Sequence, residues 1–126
     1  INSFQEDPMV TCSLLLESKK ILEGYGIAQI SKKNNQNIVC GVEEKPKKPK
    51  SNLVILPVYI FKSNIFDALK KTESGYNKEL QVTDGINTLI KKDEKVVALK
   101  MRGKWFDIGT PQRYMSALNY SYKYKH

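Results

Sequence analysis

A chain of 126 residues has the length of one domain and can bury roughly two-thirds of the surface it exposes when unfolded. With 40% hydrophobic and 27% charged residues, its composition excludes a disordered, collagen-like or disulfide-scaffold protein. A net charge of +8 favours anionic partners, whether nucleic acid, a membrane surface or a phosphorylated small molecule, without choosing among them.

Ile1 opens a polar stretch to Pro8 that reads as a cut inside a longer polypeptide, and removal of a short leader or tag would look the same. Met9–Leu16 is an apolar, partly β-branched run and predicts a buried strand. Gly24-Tyr25-Gly26 breaks the chain. Ile27–Ser31 and Ile38–Glu43, separated by the polar turn Lys32–Gln36, predict a hairpin. Lys45–Lys50 is a basic, Pro-containing loop. Val54–Phe61 predicts another buried strand, in which Pro57 demands an edge, a bulge or a substitute for a ladder bond. Ser63 is placed to cap a helix reaching Lys71, with Ile65, Phe66 and Leu69 on one face. Thr83 is placed to cap a second helix to about Lys92, with Ile86, Leu89 and Ile90 inward. Lys95–Met101 predicts a strand and Trp105–Ile108 a further short one. Thr110-Pro111 starts a last helix carrying Tyr114, Met115, Leu118 and Tyr122 on one side. The pattern is α/β, a mixed sheet with packed helices.

No apolar run approaches the ~20 residues that span a bilayer, and no signal-peptide pattern is present. Cys12 and Cys40 lie in apolar strand contexts and are expected as buried thiols, which suits a reducing cytoplasm. The one histidine is His126, which argues against a His-ligated metal or a His-based triad. Gly24-x-Gly26 is followed by Gln29, so the dinucleotide-binding glycine pattern fails, and the phosphate-loop pattern is absent too. Phosphate handling must rest on side-chain charge or on a segment outside these residues.

Four clusters could carry chemistry. Glu43-Glu44-Lys45-Pro46 ends a strand; carboxylates there can accept from sugar hydroxyls and a Lys can hold a phosphate. Glu44 and Lys45 diverge unless the backbone bends, as Pro46 allows. Taken alone, the cluster also reads as solvated charge. Asp107, between bulky apolar neighbours, needs a cation or hydrogen bonds; a Mg²⁺ ion or a helix-entry turn would each supply them. Glu79–Gly85 reads locally as a helix start. The tail Tyr120–Lys125 could stack on nucleic acid or pack on a neighbouring element.

Taken in order, Tyr25-Gly26-Ile27, Glu43-Glu44-Lys45-Pro46 with Lys50-Ser51-Asn52, Val58-Tyr59-Ile60-Phe61, Glu79–Asp84 and Trp105–Pro111 with Tyr114 and Ala117 resemble the sugar-phosphate nucleotidyltransferases over residues 9–120. The glucose-1-phosphate uridylyl- and thymidylyltransferases and the mannose-1-phosphate guanylyltransferases are the branches in view. The resemblance implies the sugar-binding, C-terminal part (residues 1–126) of a Rossmann-like catalytic domain. The implied reaction joins a sugar 1-phosphate to a nucleoside triphosphate and releases pyrophosphate, with Mg²⁺. Gly26 and Ile55 would offer backbone to the sugar, Glu44 and Glu43 would accept its hydroxyls, and Thr83 would line the sugar side. Lys45 would hold the sugar phosphate and Asp107 the metal, making these two the catalytic residues. Many members have Gly where Pro57 stands, and some have an Arg that Lys78 could replace. The family's Gly-rich loop and its first metal Asp lie ahead of everything here, so the expectation is an enzyme fragment that is inactive alone, with no nucleic acid or membrane partner. A non-catalytic sugar-phosphate-binding module of the same fold is the alternative. An exposed sheet edge could pair with a second copy.

Overall fold

The computed structural model describes residues 4, 6–73 and 79–124. Lys78, the candidate replacement for a family Arg, lies outside the described residues, as do Lys125 and His126.

β1 (Val10–Ser18) is buried along most of its length, as expected of a strand bonded on both sides. It pairs antiparallel with β4 (Leu53–Phe61) and parallel with β5 (Lys95–Lys100). β2 (Ile27–Lys33) and β3 (Gln36–Glu43) form the expected hairpin. Its turn residues, Asn34 and Asn35, have φ of 49° and 61°, the left-handed pair that matches strand twist in a two-residue loop. The strands run β1-β4-β2-β3-β5, and a short β3–β5 pairing closes the ring. The sheet is therefore mixed, as expected, but it also closes on itself.

Pro57 sits in a bulge. Leu14 pairs with Tyr59 and Leu16 with Ile55, so two steps along β1 span four along β4. Pro57 and Val58 face outward there, and no ladder bond is asked of the proline. Between β2 and β4 the ladder is a single Ile27–Val54 pairing. The Ser51 hydroxyl supplements it, donating to the Ala28 carbonyl and accepting from the Leu53 N–H.

The helices are α1 (Asn64–Lys70), α2 (Val82–Lys91) and α3 (Pro111–Tyr124). Leu14, Leu16, Ile55 and Val96 meet Ile65, Ala68, Ile86 and Leu89 in the main core. A smaller cluster, Ile27, Val54 and Leu56, packs beneath Tyr25 and Trp105. At Gly85 an added Cβ would lie 2.6 Å from Leu69 Cδ2, so glycine is what lets α1 and α2 approach. None of the helices among the described residues is long and apolar enough to cross a membrane.

Several expectations are corrected. Trp105–Ile108 is not a strand; no neighbouring strand offers it a ladder. Phe66 is 65% exposed and Ala68 takes its place inside. Ser63 occupies the cap position of α1 in helical conformation and its side chain makes no cap bond. The cap of α2 is Gln81, whose N–H donates to Asp84 Oδ2 at 3.0 Å, while Thr83 lies buried within the helix. No residue of α3 is buried, Tyr114, Met115, Leu118 and Tyr122 included. Cys12 is buried as expected, but Cys40 is exposed. Val39 faces the core, so its neighbour must face out, and a bulge at Cys40 returns Val42 to the core.

One contact fixes α2 to the sheet. β5 covers β3 only at Asn37 and Ile38. Further along, Asn87 takes the open edge: its Oδ1 accepts from the Val42 N–H at 3.1 Å and its Nδ2 donates to the Val42 carbonyl at 2.6 Å. A side-chain amide thus stands in for a strand. Asn87→Ala would leave two inward backbone groups unpaired. It should lower stability by about 1–3 kcal/mol, read as a lower denaturation midpoint at unchanged slope.

The two thiols differ chemically. Burial pushes the Cys12 thiol up to about 12, so it stays protonated and unreactive at pH 8. A thiol reagent should label Cys40 alone in the folded protein, with Cys12 reacting only in denaturant; quantitative mass spectrometry reads both.

Candidate functional site

Gly24, with φ of 83°, turns the chain into Tyr25-Gly26 at the start of β2. The Gly26 carbonyl accepts from the Ile55 N–H at 2.8 Å, and the Tyr25 carbonyl from the Lys45 N–H at 3.2 Å. These two bonds draw the starts of β2 and β4 and the end of β3 together. A Cβ on Gly26 would meet Glu44 Oε2 at 3.1 Å, Thr83 Cγ2 at 3.3 Å and Ile55 Cδ1 at 3.5 Å. Glycine there leaves the floor of a recess open.

The recess has a volume of about 300 Å³, and its wall includes Gly26, Glu44, Ile55, Thr83 and Asp107. Five of the seven residues singled out from sequence therefore meet in one place. The other two stand aside. Glu43 pairs with Lys50 at 3.5 Å. Lys45 lines an adjoining recess with Leu22 and Pro46. Its φ of 43° is the bend that sequence reasoning required, and its Nζ lies 3.9 Å from Glu44 Oε1.

Glu44 is 17% exposed at its side chain. Thr83 Oγ1, on the first turn of α2, donates to Glu44 Oε2 at 3.2 Å. Tyr59 lies across the recess, stacked on Phe61 with ring centroids 5.7 Å apart. Burial, and then the charge of Glu44, push the Tyr59 hydroxyl above its ordinary value, so it is a neutral donor at any physiological pH.

Asp107 lies in a segment without regular structure that aromatic rings hold in place. Trp105 meets Tyr25 edge-on at 6.4 Å. Lys19 Nζ lies 4.6 Å from both ring centroids and pairs with Glu17 at 3.3 Å. On the other side Phe106 packs on Tyr120 at 5.0 Å, and Tyr120 on Tyr124 at 4.4 Å. Within the Tyr/Lys tail, Tyr120 thus packs on its own chain, with Lys104 over its ring at 4.4 Å. The Asp107 carboxylate accepts from the Gly109 N–H at Oδ1, 2.9 Å away, and from Arg113 at Oδ2. Thr110 caps α3 as expected, accepting from the Arg113 N–H at 3.3 Å.

Sequence reasoning missed three parts of the wall. Tyr25, Tyr59 and Trp105 stood inside the quoted segments without a role, and bulky rings at strand starts and bulges were the available signal. Arg113 was not singled out at all, although its place on the first turn after Thr110-Pro111 puts it within reach of Asp107.

Among the described residues, no group of three or more His, Cys, Asp or Glu side chains could hold a metal. The donor set facing the recess is carboxylate from Asp107 and Glu44. That suits Mg²⁺, which is held through one or two carboxylates with the remaining ligands from phosphate and water.

Comparison with known proteins matches residues 1–123 to the family described as nucleotidyl transferase. The bifunctional protein GlmU of Methanocaldococcus jannaschii is 37% identical over 98 residues, covering 78% of this chain and 23% of that protein. The UTP--glucose-1-phosphate uridylyltransferase of Mycoplasma pneumoniae is 41% identical over 85 residues, covering 66% of this chain and 29% of that protein. A solved UDP-glucose pyrophosphorylase complexed with UDP-glucose superposes with a TM-score of 0.84 at 28% identity, covering 97% of this chain and 47% of that one. The chain spans about a quarter of the length of these two relatives.

The Thr83–Glu44 bond joins α2 to the end of β3. Thr83→Val keeps the shape and removes the donor. It should cost about 1.5–3 kcal/mol, the value of a hydrogen bond to a charged group. Thr83→Ser should restore most of it, as measured by thermal unfolding.

Proposed function

We propose, from the premise that the chain belongs to the nucleotidyl transferase family, that it forms the sugar-phosphate side of a sugar 1-phosphate nucleotidyltransferase. The observation that carries this reading is the meeting of Glu44, Thr83, Asp107 and the Gly26 backbone around one recess walled by aromatic rings. Carboxylate and backbone acceptors beside apolar rings suit a hydroxyl-rich ring with an apolar face.

In this reading Glu44 accepts from sugar hydroxyls, oriented by the Thr83 donor, with Glu43 a lesser contributor at the rim. Tyr59, held neutral, donates. Gly26 and Ile55 present backbone where no side chain intrudes. Lys45 swings from the adjoining recess to neutralise the sugar phosphate. An oxygen of that phosphate bonds to the α-phosphorus of the nucleoside triphosphate, and the bond to the bridging oxygen breaks, releasing pyrophosphate with its electron pair. The residues act by positioning and charge neutralisation. Mg²⁺, when bound at Asp107, supplies positive charge to the phosphate oxygens. Glucose 1-phosphate with UTP is the first choice, in keeping with the uridylyltransferase and UDP-glucose pyrophosphorylase relatives; dTTP is the next nucleotide to test. The triphosphate side is assigned to residues outside this chain.

A second reading, a non-catalytic sugar-phosphate-binding module, draws on the engagement of Asp107 by Arg113. Calorimetry and a pyrophosphate-release assay separate the two. The 126-residue chain should bind glucose 1-phosphate and release no pyrophosphate from UTP, whereas a protein carrying a preceding triphosphate-binding segment should release it. Binding without release in that longer protein would favour the module. Gly26→Ala should weaken glucose 1-phosphate binding by about tenfold or more, since the new methyl crowds Glu44. Unchanged affinity would place the sugar elsewhere.

A further inference from the structure

Both oxygens of Asp107 are engaged, and the two partners differ in kind. Oδ1 is held by the N–H of Gly109, a backbone group fixed within the same turn. Oδ2 is held by the guanidinium of Arg113, a long side chain that is 51% exposed on a helix with no buried residue. The Arg113 backbone is fixed by Thr110 at the first turn of α3, so the head group can move while its base stays put. Arg113 also borders a further recess, distinct from the one that Lys45 lines, with Lys19, Lys20 and Tyr25. Tyr25 is a wall of both this recess and the one with Asp107, so the guanidinium stands at the boundary between them. Lys19, Lys20 and Arg113 share the further recess with the Glu23 carboxylate.

We infer that Arg113 is a positioning residue that occupies Asp107 Oδ2 as a resident counter-ion, and that a divalent cation binds Asp107 only by displacing it. The inference rests on the reading of Asp107 as a metal ligand. A divalent cation on Oδ2 would stand within a few ångströms of the guanidinium charge, and the repulsion between the two sets them in competition. A half-exposed ion pair is worth little, which makes the displacement modest and reversible. Released from Asp107, the planar fork of donors suits a phosphate as well as it suited the carboxylate.

The test uses Mn²⁺ as the probe, with free ion counted by electron paramagnetic resonance, on the protein and its Arg113→Gln, Arg113→Lys and Asp107→Asn variants. Arg113→Gln should tighten Mn²⁺ binding by roughly two- to fivefold, the size set by one half-exposed ion pair. Arg113→Lys, which keeps a charge and loses the fork, should fall between. Asp107→Asn should abolish the binding and with it the difference between Arg and Gln at position 113. An unchanged or weaker Mn²⁺ affinity in Arg113→Gln, with Asp107→Asn still abolishing it, overturns the competition and leaves the metal reading standing. Binding indifferent to Asp107→Asn overturns both. A merely structural role for Arg113 would weaken binding on removal rather than tighten it. The Lys variant keeps the outcome readable should Gln impair folding.

Discussion

The molecule turns on an amide in a helix that completes a strand. β3 loses β5 as a neighbour after Ile38, and its free edge would face the helix layer with open backbone groups. Asn87 closes that edge by pairing both the N–H and the carbonyl of Val42. With α2 seated there, Thr83 at its front reaches Glu44 just beyond the end of β3. Gly85 in its middle accepts the close approach of Leu69 from α1. The acidic wall of the recess and the packing of two helices thus hang on one side chain remote from the recess itself.

A second layer of order comes from rings rather than backbone. The segment carrying Asp107 has no ladder and no helix to hold it. Trp105 leans on Tyr25 and Lys19, Phe106 on Tyr120. The segment is thereby spanned between the start of β2 and the last helix. Cation–ring and edge-on ring contacts each contribute about 0.5–1.5 kcal/mol, so several together fix a loop that one alone would not.

Much of this was legible from residues alone, for physical reasons. β1 and the first part of β4, residues 53–56, are buried on both faces, and a continuous apolar run is what such a strand must be. Pro57 inside β4 called for an edge, a bulge or a substitute for a ladder bond, and the bulge is there. The bend at Lys45 was required if Glu44 and Lys45 were to share a neighbourhood, and φ turns positive at that residue. The misreadings have causes as well. Thr83 looks like a helix cap, but the half-buried Glu44 carboxylate competes for its hydroxyl and wins, leaving Gln81 and Asp84 to start the helix. Trp105–Ile108 has strand composition with no partner strand. The apolar stripe of α3 signals a helix, but nothing in its periodicity says that the described residues cover it. Ring closure rests on two paired residues between β3 and β5, too few to leave a pattern.

Trp105 is the one tryptophan in the chain. Its indole borders the recess, meets a tyrosine edge-on and carries a lysine ammonium against its face. The protein therefore contains a single indole fluorophore, and its surroundings are the site. Occupancy of the recess and the integrity of the Lys19 contact both write onto one fluorescence signal, with no label added and no second indole to subtract.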